Sequence, residues 1–463
     1  MTKWQSVRPR NGFTTLPGIG VAGNLFVDFG PALNMDCVAN TIGLLCGMRF
    51  VHLADVHLDT SFAGRSEEVR KRLREASRQA FHNAVDLAIR EDAHAFLIAG
   101  DLFDGERLSF ETERFLLTEA ARLDDHGIAV VYATGNHDPG SQEQGPRALS
   151  WPTCVRVAAD ATPRRFLIHD RSGDPVGYVT TVGHVTNQEH EDLSRLLPRP
   201  AGELPEVGLL HTQVHSSIGA DDHHPYAPSE LTYLLRSGHD YWALGHVHVR
   251  QELSADPPIW YSGSLQGKSH ADVGERGALL VDLSDRGAPM VSFRSLAPVR
   301  WDTIEVDRLE TVRSLDELER QVQLAWRTRR ATDPGTNGTE WMVRVVLTGA
   351  CPLWSELRAT EDLDHLASEL CEGIGALDVF IATEGVHPVI PIDEHRLRTD
   401  VLGAALRLTE AVRHGDEVLA HVDPSELVGL SSDDPGTVKS YVQRLLAEAD
   451  GEIAARLLEG GSS

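Results

Sequence analysis

Short apolar runs alternate with longer amphipathic stretches from residue 48 onward. The runs MRFVHLAD, AHAFLIAGD and IAVVYATGNHD are each typical of a buried strand that ends in polar residues. Between them, residues 66–91 and the stretch SFETERFLLTEAARLDDHG have apolar residues at helical spacing, and Gly127 ends the second helix. A repeated order of strand, helix and strand predicts right-handed crossovers and a largely parallel sheet.

Later strand-like runs are shorter. They are GYVTTVGH, EVGLLHTQ, YWALGHVH, PIWYSGS and GALLVDL. A β-sandwich flanked by helices accommodates all of these strands, so we predict an α/β fold of this kind.

The pattern changes near residue 300. RWDTIEVD and EWMVRVVLTG are strand-like, a helix (SLDELERQVQLAWRTRR) lies between them, and further helical stretches follow. We therefore expect a main domain over 48–296, a smaller α+β domain over 297–395 and a helical region over 396–463. Residues 1–47 are rich in Gly and have no persistent period, so we expect either a mobile tail or an over-long start before Met48.

The composition narrows the class of protein. An apolar share of 41% and a charged share of 24% are ordinary for a soluble globular protein. The sequence has no run of about 18 apolar residues, so we predict no membrane span. Five scattered cysteines without a CxxC favour a reducing cytoplasm over a disulfide scaffold or a structural zinc site.

The net charge of −26 argues against a broadly basic nucleic-acid binder. The charge is unevenly distributed, because residues 301–463 have a net charge of −16, which leaves −10 for residues 1–300. Most of the excess negative charge per residue therefore lies outside the region that contains the candidate chemistry.

Five strand-like runs finish in Asp, His or Asn, at the carboxyl ends where α/β sheets bind ligands. The motifs are ADVHLD, GDLFD, GNHD, LLHTQ and GHVH. In the last motif, His246 and His248 are two residues apart, so an extended chain would point both imidazoles to one face. Each histidine alone is more often structural, but their joint occurrence favours a metal site. The candidate residues are Asp55, His57, Asp101, Asp104, Asn136, His137, Asp138, His211, His246 and His248.

Carboxylate, imidazole and amide groups without a thiolate suit divalent ions such as Mn²⁺, Fe²⁺ or Zn²⁺. Seven of these ten residues are candidate metal ligands. Seven ligands are too many for one ion and fit two ions that share one carboxylate. Two-metal sites hold their ions about 3.5–4 Å apart and stabilise both the attacking and the leaving oxygen of a phosphoryl displacement. A carboxylate can span that gap with its two oxygens and an imidazole cannot, so we expect an aspartate to be the shared ligand.

The order DxH, GDxxD, GNHD, H and GHxH resembles that of the calcineurin-like metallophosphoesterase superfamily. Within it, HLADVHLD, IAGDLFD and GNHD are similar to the motifs of the SbcD/YhaO-type DNA repair exonucleases. The resemblance covers about residues 48–285. The residues after 300 resemble that family's smaller capping domain only loosely.

The resemblance implies how the residues divide between two ions. Asp101 would bridge them, and a metal-bridging hydroxide would attack the phosphodiester. His137 would face the phosphate, stabilise charge in the transition state and assist the leaving oxygen. The implied sets are Asp55, His57, Asp101 and His248 for one ion, and Asp101, Asn136, His211 and His246 for the other.

Asp104 departs from some family nucleases, which have a histidine three residues after the bridging aspartate; related phosphatases have an aspartate there. We expect Asp104 to orient His137, fix its tautomer and raise its basicity. This departure leaves the choice between a nuclease and a broader phosphoesterase open. Asp138 is as consistent with a helix N-cap as with a residue that orients a ligand.

Three other stretches remain open. Residues 64–78 include six basic side chains, which favour a solvated helix face over contacts to a phosphate backbone. The final helix, with apolar residues such as Val442 and Leu445, either packs on its own domain, which we prefer, or docks onto a partner. The stretch GSLQGKSH places Lys268 and His270 on a loop without an assigned role.

We therefore expect a cytoplasmic, two-metal DNA phosphodiesterase, a repair exonuclease that uses Mn²⁺ and has a capping domain that restricts access. The resemblance implies DNA, an SMC-like coiled-coil ATPase and a second copy of the chain as partners. The chain itself has no GxxxxGK[ST] motif for ATP. One alternative is a phosphoesterase for small phosphate esters or nucleotides, which the acidic balance favours. A non-catalytic scaffold is a remote alternative, because no ligand position is lost.

Overall fold

The computed structural model describes most of the chain after residue 46, and Cys46–Ser463 form one compact unit. The expectations for the N-terminal extension and for Val442 and Leu445 in the final helix lie outside the described residues. The described residues are 47–104, 108–142, 149–202, 204–215, 217–218, 226–283, 289–333, 338–414, 446 and 449–460.

Strands and helices alternate over residues 48–133 and again over residues 299–387. The strands are β1 (Met48–Leu53), β2 (Ala95–Ala99), β3 (Ala129–Ala133), β4 (Val155–Ala158), β5 (Arg164–His169), β6 (Pro175–Thr181), β7 (Glu206–His211), β8 (Tyr241–Gly245), β9 (Gln251–Ala255), β10 (Pro258–Tyr261), β11 (Gly277–Leu283), β12 (Met290–Ser295), β13 (Val299–Val306), β14 (Glu340–Ala350) and β15 (Asp378–His387). The helices are α1 (Glu67–Arg90), α2 (Phe110–Asp125), α3 (Leu231–Arg236), α4 (Leu315–Ala331), α5 (Thr360–Ile374), α6 (Ile392–Arg396), α7 (Val401–His414) and α8 (Ala449–Gly460).

Two six-stranded sheets form the larger part of the structure. The first has the order β12-β11-β1-β2-β3-β4, and β1 to β4 are parallel. The second has the order β5-β6-β7-β8-β10-β9, with β6, β7, β8 and β10 parallel. In both sheets the antiparallel strands lie at the edges of the parallel core. The parallel strands therefore bring their carboxyl ends to the same edge of each sheet.

The two sheets pack face to face through fully buried side chains. Phe50, Leu97 and Val131 of the first sheet share one apolar cluster with Leu209 and Tyr241 of the second. Helices α1 and α2 cover the other face of the first sheet through a separate cluster. This sandwich of two sheets flanked by helices confirms the predicted fold class.

Capping serines fix where the two covering helices begin. Ser66 accepts a hydrogen bond from the Val69 amide at the start of α1, and Ser109 does the same for Thr112 at the start of α2. Such caps satisfy amides that have no partner inside the helix. The two helix starts therefore lie close to the positions that the sequence predicts.

The third sheet consists of β13, β14 and β15, which are all parallel. Helix α4 connects β13 to β14, and α5 connects β14 to β15. We expected an α+β arrangement with two strands here. The structure instead has alternating strands and helices with parallel pairing, because both crossovers are helical.

Helix α1 packs against the third sheet as well as the first. Val69 and Leu73 share a buried cluster with Trp301 of β13 and Met342 of β14. Two arginines of the basic stretch 64–78 form ion pairs at this interface, Arg65 with Asp378 and Arg72 with Glu340. These two cations are therefore partly exposed and already paired with carboxylates of the third sheet.

None of the helices in the described part of the chain combines the length and the apolar character that crossing a bilayer requires.

Candidate metal centre

Side chains from both sheets meet where five parallel strands end. Those that follow β1, β2 and β3 come from the first sheet, and those at the ends of β7 and β8 come from the second. Three groups of His and carboxylate side chains here have ligand atoms within 4.8 Å of one another. The groups are Asp55, His57 and His248; His57, Asp104 and His137; and Asp55, Asp101 and His211.

Asp101 lies between histidines of the two predicted ligand sets. Its Oδ2 is 3.8 Å from His57 Nε2 and 3.4 Å from His211 Nε2. Its Oδ1 accepts a hydrogen bond of 2.9 Å from the His137 amide. We expected a bridge through both carboxylate oxygens, but the geometry directs one oxygen, Oδ2, toward both sets.

His57, His248 and Asp55 form one half of the centre. The two Nε2 atoms of His57 and His248 are 3.3 Å apart. Asp55 Oδ1 lies 4.0 Å from His57 Nε2 and 3.9 Å from His248 Nε2. The Asp55 carboxylate also accepts the His246 amide, at 3.1 Å from Oδ2, which ties the loop after β8 to the loop after β1.

Asn136, His211 and His246 form the other half. Asn136 Oδ1 is 2.9 Å from His211 Nε2 and 3.1 Å from His246 Nδ1. The His211 and His246 rings lie edge to face with their centroids 5.2 Å apart. The seven predicted ligands therefore lie together in two adjoining clusters.

Oxygen acceptors hold the outward nitrogens of three of these histidines. His57 Nδ1 lies 2.6 Å from Asp104 Oδ1, and His211 Nδ1 lies 2.8 Å from the Ala99 carbonyl. His248 Nδ1 lies 3.5 Å from Asp272 Oδ1. An acceptor at Nδ1 keeps the proton there, so the Nε2 lone pair faces the centre.

This donor set fits divalent cations. Lone pairs of His57 and His248 face each other beside Asp55, and His211 faces the Asn136 oxygen, so electron-rich atoms converge without hydrogens between them. A cation relieves that repulsion, and mixed nitrogen and oxygen donors suit Mn²⁺, Fe²⁺ or Zn²⁺. The geometry of the site therefore fits a centre for divalent metal ions.

The pKa shifts at the site also favour a bound cation. Burial, and then the charge of Asp101, raise the pKa of Asp55 well above its usual range. Burial also lowers the pKa of His211 to about 3 and that of His248 to about 4, which keeps both imidazoles neutral. Burial alone would raise the pKa of Asp101, but nearby histidines, His211 first, lower it below its usual range.

The backbone at the site has conformations that are uncommon for residues with side chains. Asp55, His57 and Asp101 have φ values of 50°, 49° and 51°, and His246 has 101°. A left-handed backbone away from glycine costs free energy and is concentrated at functional sites. Gly135 leaves room for the carboxylate of Asp101, because a Cβ at this position would lie 2.2 Å from Asp101 Oδ1.

His246 and His248 reach the site in a different way from the one expected. Strand β8 ends at Gly245, so both histidines lie in the turn beyond it and not on an extended strand. The φ of 101° at His246 turns the chain, and Val247 between them is fully buried. The two imidazoles therefore converge because of this turn. The alternation of side chains along an extended strand, from which their convergence was predicted, does not apply here.

Asp104 contacts two histidines at once. Its Oδ1 is 2.8 Å from His137 Nδ1 as well as 2.6 Å from His57 Nδ1. Thr60 Oγ1 donates to its other oxygen at 2.6 Å. Burial alone would lower the pKa of His137, but the hydrogen bond to Asp104 and the charge of Asp101 raise it to about 9. His137 is 44% exposed, so its other nitrogen can reach a substrate.

Asp138 is a buried support for the loops that contain Asp101 and Asn136. Its carboxylate accepts hydrogen bonds from the amides of Leu102 and Gly135, both at 2.6 Å, and from the Tyr132 hydroxyl. Burial raises its pKa to about 7. Asp138 is followed by a turn in which the Gln142 amide donates to the Pro139 carbonyl, and not by a helix, so the helix N-cap alternative is wrong and the orienting role is favoured.

Other histidines near the site have structural contacts. His52 is buried, with Nδ1 at 3.1 Å from the Tyr241 hydroxyl and Nε2 at 3.1 Å from the Leu244 carbonyl. His184 Nε2 lies 2.8 Å from the His211 carbonyl and so supports that ligand position from behind. Asp272 was missed by sequence reasoning, because it lies on a loop between β10 and β11 and not at a strand end.

Comparisons with known proteins place the chain in a family. The family model Calcineurin-like phosphoesterase matches residues 48–250. A relative named as an uncharacterized metallophosphoesterase, YhaO of Bacillus subtilis, is 31% identical over 333 residues, 71% of this chain and 78% of that protein. The chain belongs to the calcineurin-like metallophosphoesterase family.

Two further relatives extend the comparison. The DNA double-strand break repair protein Mre11 of Methanopyrus kandleri is 26% identical over 412 residues, 84% of both chains. The SbcD component of the nuclease SbcCD of Rhodobacter capsulatus is 27% identical over 289 residues, 52% of this chain and 68% of that protein. The expected relationship to SbcD- and YhaO-type proteins is confirmed, and family membership implies a phosphoester hydrolase that requires divalent metal ions.

Proposed function

We propose that the chain is a two-metal DNA phosphodiesterase that acts as an exonuclease in DNA repair. The observation that supports this most strongly is the convergence of Asp101 Oδ2 with His57 and His211, at 3.8 and 3.4 Å, from three separate strand ends. A buried carboxylate between two histidine clusters could be shared by two closely spaced ions, as two-metal phosphoryl transfer uses them.

The proposed ligands divide between two ions along the two clusters. Manganese is the proposed metal, because carboxylate and imidazole donors suit it and thiolates are missing from the set. Asp101 is the proposed shared ligand. The first ion would be held by Asp55, His57, Asp101 and His248, and the second by Asp101, Asn136, His211 and His246.

When bound, the two ions would polarise the phosphate and lower the pKa of water, so that a nucleophile forms at neutral pH. His137 would stabilise the developing charge and protonate the leaving oxygen, and the 2.8 Å contact of its Nδ1 with Asp104 supports this role. Asp104 thereby positions both His137 and His57. Asp138 keeps the loops of Asp101 and Asn136 in register through its buried carboxylate.

DNA is the proposed substrate because of the relatives. A named DNA double-strand break repair protein aligns with 84% of this chain, well beyond the residues that match the family model. On this basis we propose a catalytic domain over 48–296, a capping domain over 297–395 and a C-terminal helical region over 396–463. An SMC-like ATPase partner, a second copy of the chain and a cytoplasmic location belong to the same proposal.

A second candidate is a phosphoesterase for small phosphate esters or nucleotides. It is favoured by the contact between Asp104 and His137, since an aspartate at this position is the arrangement expected of the related phosphatases. The acidic balance of the chain also favours small substrates over DNA.

The test is to incubate the purified protein with Mn²⁺ and end-labelled duplex DNA, beside mono- and bis-(p-nitrophenyl) phosphate. We expect release of labelled nucleotides, and the Asp101→Asn variant prepared in the same way should release none, which excludes a contaminating nuclease. Turnover of the esters with intact DNA would contradict the nuclease and favour the second candidate. No turnover of either substrate would favour the remote alternative, a non-catalytic scaffold with the same fold.

A further inference from the structure

A lysine on the loop between β10 and β11 has no assigned role, although lysine is rare in this chain. The sequence contains four lysines, and Lys268 is one of two within the described residues. Its side chain is half-buried, and among the described residues no carboxylate lies within ion-pairing distance of it. A half-buried ammonium with no direct ion pair among the described residues is a candidate for binding an external anion.

The backbone of Lys268 is linked to the candidate metal centre through Asp272. Asp272 Oδ2 accepts hydrogen bonds from the Lys268 amide at 2.9 Å and from the Ser269 amide at 3.2 Å. The other oxygen of the same carboxylate lies 3.5 Å from His248 Nδ1. One buried aspartate therefore fixes both a proposed metal ligand and the position of the lysine.

The loop is also anchored from the opposite side. Trp301 Nε1 donates to the Gly267 carbonyl at 2.8 Å, and Gln266 Nε2 donates to the Val299 carbonyl at 2.7 Å. A Cβ at Gly267 would lie 2.5 Å from the Trp301 ring, so the loop approaches the indole as closely as glycine allows. Lys268 thus extends from a loop that is held on both sides.

The neighbouring arginines already have partners. Arg276 donates to the His248 carbonyl and, through Nε, to the Asp272 carbonyl at 3.2 Å, and its Nη2 lies 3.5 Å from Asp272 Oδ1. The Arg250 guanidinium lies over the Phe293 ring, 3.6 Å from its centroid. Of these three cations, Lys268 is the one left for a ligand.

Contacts of Asp272 place the loop of Lys268 on one side of the centre. Asp272, which accepts the Lys268 amide, lies beside His248, and His248 Nε2 is 3.3 Å from His57 Nε2. The rings of His57 and His137 lie edge to face with their centroids 4.8 Å apart. The loop of Lys268 therefore lies on the side of the centre that these three histidines form, where His137 would meet a substrate.

We propose that Lys268 binds an oxygen of the reacting phosphate, on the side of the centre formed by His57, His137 and His248. This inference rests on the proposed function, since it places a phosphate over that centre. Lys268 would then neutralise charge on the phosphate that the protein's carboxylates otherwise repel.

The test measures binding of inorganic phosphate to the Mn²⁺-loaded protein by isothermal titration calorimetry, which requires no turnover. We expect Lys268→Gln to weaken phosphate binding by about tenfold or more, the scale of a charge-assisted hydrogen bond. Lys268→Arg should restore most of the affinity. Lys71→Gln, which changes an exposed lysine on α1, is the matched control and should bind like the wild type.

Metal content and thermal unfolding, measured on the same samples, exclude a structural cause. Equal phosphate affinity of the wild type and Lys268→Gln, or a wild type that binds no phosphate, would overturn the inference. A wild type that binds phosphate through Lys268 but leaves DNA intact would contradict the nuclease and keep the role of Lys268. The measurements therefore distinguish a failure of the proposed role of Lys268 from a failure of the proposed nuclease activity.

Discussion

The two-sheet region and the third sheet both join parallel strands through helices, but their strands end differently. In the two-sheet region, strands β1 and β2 are followed by buried Asp55 and Asp101 in left-handed backbone. In the third sheet, β13 is followed by exposed Asp307 and Arg308, and β14 by buried, apolar Cys351. Parallel topology alone therefore does not define a site. Buried polar groups in costly backbone conformations do.

The largest expected effect comes from removing the carboxylate of Asp101, the proposed shared ligand. Asp101→Asn should lower kcat/KM for bis-(p-nitrophenyl) phosphate by about a thousandfold or more, because groups that act as a unit are lost together. Metal content measured by atomic absorption should fall as well. The matched control is Asp302→Asn in the third sheet, where a buried carboxylate pairs with Arg329 at 3.0 Å. Equal losses of kcat/KM and metal content in both variants would contradict the claim that the site belongs to the two-sheet region and not to the third sheet.

Removing the proposed acid should separate chemistry from metal binding. His137→Ala should lower kcat by about a hundredfold to ten-thousandfold, the usual contribution of general acid–base catalysis, with metal content unchanged. His126→Ala, which changes a histidine just beyond α2, is the control. Unchanged turnover of His137→Ala would exclude this residue from the mechanism.

A smaller effect is expected from the residue that positions two histidines. Asp104→Asn should lower kcat/KM by about 10- to 100-fold, since groups that orient metal ligands typically contribute on this scale. The loss should appear in metal affinity too, because Asp104 holds His57 at 2.6 Å. A loss confined to kcat would mean that Asp104 acts through His137 alone.

The smallest effect is expected where α1 meets the third sheet. Arg72→Ala should lower the free energy of unfolding by about 1 kcal/mol or less, because the ion pair with Glu340 is partly exposed. Leu73→Ala in the same helix should lower it by about 2–5 kcal/mol through a buried cavity. Urea denaturation of both variants measures the difference. A larger loss for Arg72→Ala would show that charge, and not packing, holds the two regions together.

Strands with a continuous apolar run and a polar end could be predicted from the sequence, as β1, β2 and β3 show. The third sheet was harder, because β15 lies at the sheet edge and exposes Phe380, which interrupts the apolar pattern. Its preceding helix α5 was missed with it.

The site was predictable as far as its residues follow strand ends. The structure brings the predicted side chains together, although their roles stay predictions. The turn at His246 was not predictable, because a φ of 101° is uncommon for a residue other than glycine. Asp272 and Lys268 were not assigned either, because their relation to His248 arises from a loop without periodicity.

Trp301 belongs to the third sheet, yet its indole N–H is bonded to the loop that contains Lys268. A tilt of the third sheet against the two-sheet region would either break that bond or displace the loop. The same loop contains Asp272, whose Oδ1 lies 3.5 Å from His248 Nδ1, so a displaced loop would disturb that histidine as well. If Lys268 binds phosphate as proposed, the orientation of the third sheet and the affinity for phosphate should therefore change together.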